Sequence, residues 1–350
     1  MANTNATTAI NPKLVKDFSR KHRLEPPTAE KVLWLSRALY AISKSPISRD
    51  FALIGGSAIV FLYRDLYRFS TDLDLDFIGN VNLGKKGTDE IKKRIKADQI
   101  VLRKIARDLG MKFSLRGTPV DRFVQYGLEY RSEYTRTGIV ELDMSYRYCH
   151  SALGPVSRAW PLVLESIVPS FKVQTLKPEE LYASKVTAML EGKEGKRLDF
   201  PHHIGLMFKR KVRHLFDVCL FAQDVESGRF QVDLQLLHNL VVLFGLTRIV
   251  NFRYFRGNAI GSYTEDDVRD ELRSVVPRGV PIPKVDEMKW EVRKFFDRHL
   301  FNWSDPEHRF VEDFLAGNFR PEDLFGGTAI AKGLHAMHYY KEILGKMQTL

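Results

Sequence analysis

Three aspartates occupy alternating positions in the segment TDLDLDF, residues 71–77, namely Asp72, Asp74 and Asp76. Alternate residues of a β-strand point to the same face, so a strand here would place the three carboxylates side by side. Like charges at this separation repel unless a cation lies between them, and a divalent cation with oxygen ligands is the common solution. The pattern therefore predicts a metal-binding strand; its alternative is a solvated acidic edge strand.

The segment FALIGGSAIV, residues 51–60, precedes these aspartates and predicts a strand, a tight turn and a short helix. Gly55 and Gly56 would let an anionic ligand approach the backbone closely at the N-terminus of that helix, and Ser57 adds a hydroxyl donor. A phosphate cradle followed by paired carboxylates indicates a site for a nucleoside triphosphate with Mg²⁺. In such sites two ions about 3.5–4 Å apart stabilise an in-line displacement, and Mn²⁺ is the alternative ion.

The segment TGIVELDMSYRY, residues 137–148, predicts a second strand whose polar positions are Glu141, Asp143 and Ser145. A third carboxylate near the first two would complete the ligand shell of the second ion and accept the proton of an incoming hydroxyl. We expect Asp143 to fill this role, with Glu141 as the alternative.

Further helices and strands must position these residues. The spacing of apolar residues predicts helices at 27–47 and 89–109, and short strand-like runs occur at 112–115 and 122–130. Beyond Pro169 the pattern is mainly helical. The chain therefore predicts a mixed α and β region followed by a helical one.

The composition restricts the partners. The chain has 350 residues and a formal net charge of +11, which favours a polyanion such as nucleic acid or an anionic membrane surface. The longest apolar stretches, near 51–63 and 234–246, are too short or too polar to span a bilayer, and the polar start has no secretory pattern. Cys149 and Cys219 form no CxxC motif. We therefore expect a cytoplasmic protein without a membrane segment or a zinc site, in which both cysteines are small buried side chains.

Two basic clusters, KRKVRH at 209–214 and NFRYFRG at 251–257, could bind an RNA backbone and stack on unpaired bases. The alternative is that their aromatic residues belong to the core and their cations to a solvated face. The pair His202-His203 has no partner at ligand spacing, so we assign it to a loop.

The segment GGSAIVFLYRDLYRFSTDLDLDF resembles the first motif of the DNA polymerase β-like nucleotidyltransferases, in particular the AbiEii/AbiGii toxin family, which includes the MenT-like toxins. The family pattern is Gly-Gly-Ser/Thr-Ala followed by Arg-x-Ser-x-Asp-Leu/Ile-Asp, which Arg68, Ser70, Asp72 and Asp74 match. The resemblance implies that Asp72 and Asp74 bind the metal, that Asp76 is additional, and that Arg68 and Ser70 join the Gly-Gly-Ser turn in binding the nucleotide.

Later segments extend the resemblance. PEELYASKVTAML, residues 178–190, is similar to a family helix and places Lys185 at the functional lysine. RHLFDV, residues 213–218, is similar to the family's Arg-Asp-Leu-Tyr-Asp-Leu motif, with His214 in place of its first Asp and Asp217 at its second. The resemblance implies that Lys185 reaches the triphosphate and that Asp217 lies toward the site. A structural ion pair of Asp217 with Lys185 or Arg213 is the alternative.

The resemblance implies an α/β (α+β) nucleotidyltransferase core with a mixed sheet and a mainly α-helical C-terminal domain. We expect a helical lead-in at 1–50, the catalytic core at 51–170, and a helical domain at 171–350 that contributes Lys185 and Asp217. The implied function is Mg²⁺-dependent transfer of a nucleoside monophosphate from an NTP to an acceptor hydroxyl. The charge favours RNA, and the tRNA 3′ end is the expected acceptor of a toxin controlled by a cognate antitoxin. The alternatives are a small-molecule, antibiotic-type nucleotidyltransferase and a non-catalytic nucleotide- or RNA-binding protein.

Overall fold

The computed structural model describes residues 10–64, 66–79, 87–120, 122–162, 167–190, 212–248, 260 and 263–336. The chain divides into two compact units. The sheet unit contains the described residues up to Ser151, then Pro155–Leu176 and Ser274–Val280. The helical unit contains Ala152–Gly154, the described residues within 177–273, and the described residues from Pro281 onward. Within the described ranges, no helix is long and apolar enough to cross a membrane.

The sheet unit begins with helices α1, Pro12–His22, and α2, Pro26–Ser43. The side chain of Asn11 accepts a hydrogen bond from the backbone N–H of Leu14, which caps the first turn of α1. The helix predicted at 27–47 ends at Ser43, and a short 3₁₀ turn follows at Pro46–Arg49. Because a proline disfavours helical geometry in the residue before it, Pro46 accounts for the earlier end.

A seven-stranded mixed sheet follows in the described chain, in the order β3-β4-β5-β2-β1-β7-β6. The strands are β1 Phe51–Ile54, β2 Asp72–Phe77, β3 Lys112–Val120, β4 Phe123–Ser132, β5 Arg136–Ser145, β6 Val156–Ala159 and β7 Lys172–Thr175. The pairs β2–β5 and β1–β7 are parallel, and the remaining neighbours are antiparallel. The predicted mixed sheet is confirmed.

Between β1 and β2 the chain forms helix α3, Gly55–Ala58, which continues as a π-helical turn at Ile59–Tyr63. The predicted order of strand, Gly-Gly-Ser segment, short helix and strand is therefore confirmed.

Helix α4, Gly87–Asp108, leads into β3 and ends one residue before the predicted end. In β2, and in β5 from Val140 onward, the apolar residues are buried on one face of the sheet and the polar residues lie on the other, as the alternation predicted.

The helical unit contains helices α5 to α12 in the described chain. Their bounds are α5 Pro178–Leu190, α6 Val212–Glu226, α7 Leu234–Arg248, α8 Glu265–Glu271, α9 Val285–His299, α10 Asp305–Leu315, α11 Glu322–Phe325 and α12 Ala329–Ala336. Buried aromatic rings fill its core; those of Tyr182 and Phe221 stack with centroids 3.8 Å apart. The predicted mainly helical character is confirmed.

Two segments that we expected in the helical domain belong to the sheet unit instead. The expected boundary at 170 falls before β7, which is a strand of the sheet. The loop at 274–280 returns to the sheet unit, where the N–H of Phe69 donates to the Val275 carbonyl at 2.7 Å and the N–H of Arg278 donates to the Arg23 carbonyl at 3.0 Å. The loop sequence SVVPRGV carries no periodic pattern that could have indicated these contacts.

Candidate active site

The two glycines after β1 are required by the side chains that lie against them. Gly55 has φ +66°, and a Cβ atom there would lie 2.0 Å from Oδ2 of Asp74. A Cβ on Gly56 would lie 2.9 Å from Nη2 of Arg68 and 3.1 Å from Oγ of Ser70. Only glycine permits both the left-handed backbone at Gly55 and the close approach of the Asp74 carboxylate. The structure thus brings together both halves of the predicted motif.

Ser57 and Arg68 are buried and hold the motif from within. The Ser57 hydroxyl donates to the backbone carbonyl of Asp72 at 2.5 Å, which ties the first turn of α3 to the first residue of β2. The Arg68 guanidinium donates to the carbonyl of Phe69 at 3.1 Å. In this structure the Ser57 hydroxyl therefore positions β2. That the Ser57 hydroxyl donates a hydrogen bond to a phosphate oxygen remains a prediction, and it requires the bond to the Asp72 carbonyl to break.

The register of β2 and β5 determines which carboxylates are neighbours. Asp74 is the partner of Asp143, whereas Asp72 is the partner of Glu141 and Asp76 is the partner of Ser145. Asp72, Asp74 and Asp143 are partly exposed, while Asp76 is buried. Asp143 is thus adjacent to Asp74 on the polar face of the sheet, and Asp76 differs from the other two β2 aspartates in its burial.

These carboxylates are contacted by two side chains that the sequence did not indicate. Lys31 of α2 places its Nζ 3.5 Å from Oδ1 of Asp72, and Gln125 of β4 donates from Nε2 to Oδ1 of Asp143 at 3.1 Å. The buried carboxylate of Glu30 anchors α2 by accepting from the Ser132 hydroxyl at 2.5 Å. The position of Lys31 depends on this long-range contact. Gln125 lies in a run predicted to be a strand, but only the strand order places it beside Asp143.

The donor set suits a hard divalent cation. As the side chains stand, no three His, Cys, Asp or Glu among the described residues are grouped closely enough to hold a metal ion. Asp72, Asp74 and Asp143 nevertheless supply carboxylate oxygens, the ligands that Mg²⁺ prefers, from adjacent positions of two paired strands. Strands lie about 4.8 Å apart, so rotations of these side chains can bring their oxygens together. The residues present therefore fit Mg²⁺ in chemistry and in backbone placement.

Lys185 and Asp217 form a buried ion pair within the helical unit. Nζ of Lys185 lies 3.0 Å from Oδ2 of Asp217, and the side chains are 7% and 0% exposed. Each charge requires the other because an unpaired charge in this environment would carry a large desolvation cost. The structural ion pair that we considered as the alternative for Asp217 is thus present. The contribution of both residues to catalysis remains a prediction.

Other residues singled out from the sequence have simpler roles or lie outside the described residues. Cys149 and Cys219 are both buried free thiols, as expected, and burial raises the pKa of Cys219 to about 12. The His202-His203 pair, the basic cluster at 251–257 and the first three residues of the cluster at 209–214 lie outside the described residues.

A mixed sheet with neighbouring strand carboxylates beside a Gly-Gly-Ser helix start is the arrangement expected of a nucleotidyltransferase. The model of the family described as "Nucleotidyl transferase AbiEii toxin, Type IV TA system" matches residues 37–288, and the chain belongs to this family. Its fold is similar to that of MenT4, a nucleotidyltransferase toxin from Mycobacterium tuberculosis H37Rv. The two share 17% sequence identity and a TM-score of 0.59, with 87% of this chain and 94% of that chain covered. A search of curated proteins finds no match.

Proposed function

We propose that this nucleotidyltransferase transfers a nucleoside monophosphate from an NTP to a hydroxyl of RNA, with the tRNA 3′ end as acceptor, and acts in the cytoplasm as a toxin restrained by a cognate antitoxin. The observation that carries the proposal is the pairing of Asp74 with Asp143 in adjacent strands, beside the backbone of Gly55. Carboxylates on two neighbouring strands next to a helix start can hold the divalent cations that stabilise the attacking and leaving oxygens when a nucleotidyl group is transferred to a hydroxyl.

Each residue has a distinct part in the proposed reaction. Asp72, Asp74 and Asp143 would hold Mg²⁺, which when bound neutralises charge on the triphosphate and activates the acceptor oxygen. The acceptor oxygen forms a bond to the α-phosphorus, the bond from that phosphorus to the β-phosphate oxygen breaks, and pyrophosphate leaves. Asp143 accepts the proton of the attacking hydroxyl. Lys185, whose ammonium Asp217 holds in place, would offset charge on the departing phosphates.

The charge distribution of the sheet unit supports an RNA acceptor. The net charge of the chain is +11. On α4, exposed cations stand at intervals of whole helical turns, which places them along one face. They are Lys92, Lys96, Arg103 and Arg107. A row of this kind attracts a phosphate backbone, and binding to it should weaken steeply with added salt.

Labelled nucleotides provide the test. The purified protein is incubated with total cellular RNA and each NTP in turn, labelled at the α-phosphate, and the labelled RNA is mapped to its terminus. We expect one NTP to label the 3′ end of tRNA, and Asp74→Ala to abolish the label. Asp108→Ala is the matched control because this carboxylate lies on the surface of the same unit, 52% exposed. Full labelling by Asp74→Ala would refute the mechanism, and labelling of a small molecule instead of RNA would refute the acceptor.

A further inference from the structure

The polar face of the sheet continues from the carboxylates toward the outer strand β3. Register partners form one row across four strands: Asp74 on β2, Asp143 on β5, Gln125 on β4 and Arg116 on β3. Because neighbouring strands lie about 4.8 Å apart, the backbone of Arg116 is about 10 Å from that of Asp143. The row begins with carboxylates, passes through an amide and ends with a guanidinium.

A glycine keeps this face open. Gly127 of β4 lies in the adjacent row, and a Cβ atom there would meet Oγ of Ser114 at 2.7 Å and Cδ of Arg116 at 3.2 Å. The Arg116 side chain therefore lies across Gly127, and its Nη1 is 3.7 Å from Oε1 of Glu141. The Arg116 and Glu141 side chains are 42% and 46% exposed. A pair this exposed contributes little free energy, so an anionic ligand can displace it.

We propose that Arg116, Gln125 and Gly127 form a subsite for the last nucleotide of the acceptor. Arg116 binds the phosphate that joins this nucleotide to the rest of the strand, while its terminal hydroxyl lies at Asp143. A planar guanidinium binds phosphate oxygens through two parallel hydrogen bonds, and the span from Asp143 to Arg116 accommodates a single nucleotide. The inference rests on the proposed function, because it assumes that the acceptor is a nucleic acid end.

Gln125 acts in this subsite as a positioning residue. Its amide donates to one oxygen of Asp143 and so fixes the plane of the carboxylate that is to receive the hydroxyl proton. Gly127 contributes by the absence of a side chain, since a Cβ atom there would lie 3.2 Å from Cδ of Arg116 and would crowd its side chain. The subsite is thus built from a charge, an orienting amide and an open surface.

Direct binding tests the subsite separately from catalysis. The probes are two fluorescent RNA oligonucleotides, one with a normal final linkage and one with a neutral methylphosphonate there, and fluorescence anisotropy gives the Kd of each. We expect the wild-type protein to bind the charged oligonucleotide at least about tenfold more tightly, Arg116→Ala to bind both equally, and Arg116→Lys to recover part of the difference.

The matched control is Lys112→Ala, which removes a similar cross-strand ion pair, 3.5 Å from Glu129, on the same strand. This variant should keep the preference for the charged linkage. Wild-type protein that binds both oligonucleotides equally, or Arg116→Ala that keeps the wild-type preference, would overturn the proposal. If the preference depends on Arg116 but no NTP labels RNA, the subsite stands and the transfer reaction fails, so the two hypotheses are separable.

Discussion

The contact between Lys31 and Asp72 predicts that a lysine of this protein opposes metal binding. Nζ of Lys31 lies 3.5 Å from Oδ1 of Asp72, and the side chains are 25% and 20% exposed. A cation that binds Asp72 must displace the ammonium or share the carboxylate with it. Lys31→Met keeps most of the length of the side chain and removes its charge, so this variant should bind a divalent cation more tightly than the wild-type protein.

Coulomb's law sets the scale of the effect. At this separation two unit charges interact by about 1 kcal/mol in water and by about 5 kcal/mol at an effective dielectric constant of about 20. Partly exposed ion pairs are screened, and measured values for exposed pairs are about 0.2–1 kcal/mol. We therefore take about 1–2 kcal/mol for this intermediate case, which corresponds to a divalent-cation Kd lower by about tenfold in Lys31→Met.

Isothermal titration calorimetry with Mn²⁺ on the protein without nucleotide measures this affinity directly. Lys44→Met is the matched control, because Lys44 is an exposed lysine just beyond the end of the same helix. It should leave the Kd unchanged. An unchanged or higher Kd in Lys31→Met would refute the reasoning, since it would mean that the ammonium does not compete for Asp72. A lower Kd combined with slower transfer would show that Lys31 also acts on the substrate once the metal has displaced it.

Three further predictions concern stability. Gly55→Ala should unfold at a lower temperature than Gly110→Ala. Both glycines have a positive φ, +66° and +69°, but only at Gly55 would the new Cβ atom lie 2.0 Å from Oδ2 of Asp74. The difference between the two melting temperatures therefore measures the clash apart from the backbone strain. Lys185→Met should lower the free energy of unfolding by about 3–5 kcal/mol in urea denaturation, because it removes the cation that lies 3.0 Å from the buried carboxylate of Asp217. Adding Asp217→Leu should restore much of this loss, because the double change removes both charges. A hydrogen bond from His299, the last residue of α9, lowers the pKa of Glu226 below its ordinary value of 4.5. The stability that Glu226 contributes should therefore be complete above pH 4.5 and be lost as the pH falls below that value. Thermal melts between pH 6 and 3 should show a weaker pH dependence for Glu226→Gln than for the wild-type protein.

Local patterns were sufficient to predict the strands that carry the aspartates. Alternation of polar and apolar residues predicted that Asp72 and Asp74 share a face, and the same argument placed Asp143 on the polar face of β5, both confirmed by burial. Periodicity within one strand cannot determine its neighbour or its register. The pairing of Asp74 with Asp143, and not with Glu141, was therefore accessible only from the structure.

The contact of Lys31, which sequence reasoning missed, joins distant parts of the chain. Lys31 reaches Asp72 because the carboxylate of Glu30 anchors α2 on the turn between β4 and β5, about a hundred residues later. Helical patterning around 27–47 predicted the helix but not what its polar side would contact. Long-range anchors of this kind depend on the whole packing arrangement and leave no local pattern.

The strand order is suited to the two negatively charged substrates that we propose for this sheet face. An NTP and an RNA end repel one another, so their phosphates need separate counter-charges. The row from Asp74 to Arg116 provides such a separation: carboxylates at the inner end suit a triphosphate that carries a divalent cation, whereas the guanidinium at the outer end suits a phosphate without one. Between them, Gln125 is uncharged and contacts Asp143. If this order were reversed, with the cation beside β2, it would compete with the metal for the carboxylates, as we predict that Lys31 does. The placement of Arg116 two strands away from Asp143 avoids that competition while keeping its charge within the span of a nucleotide.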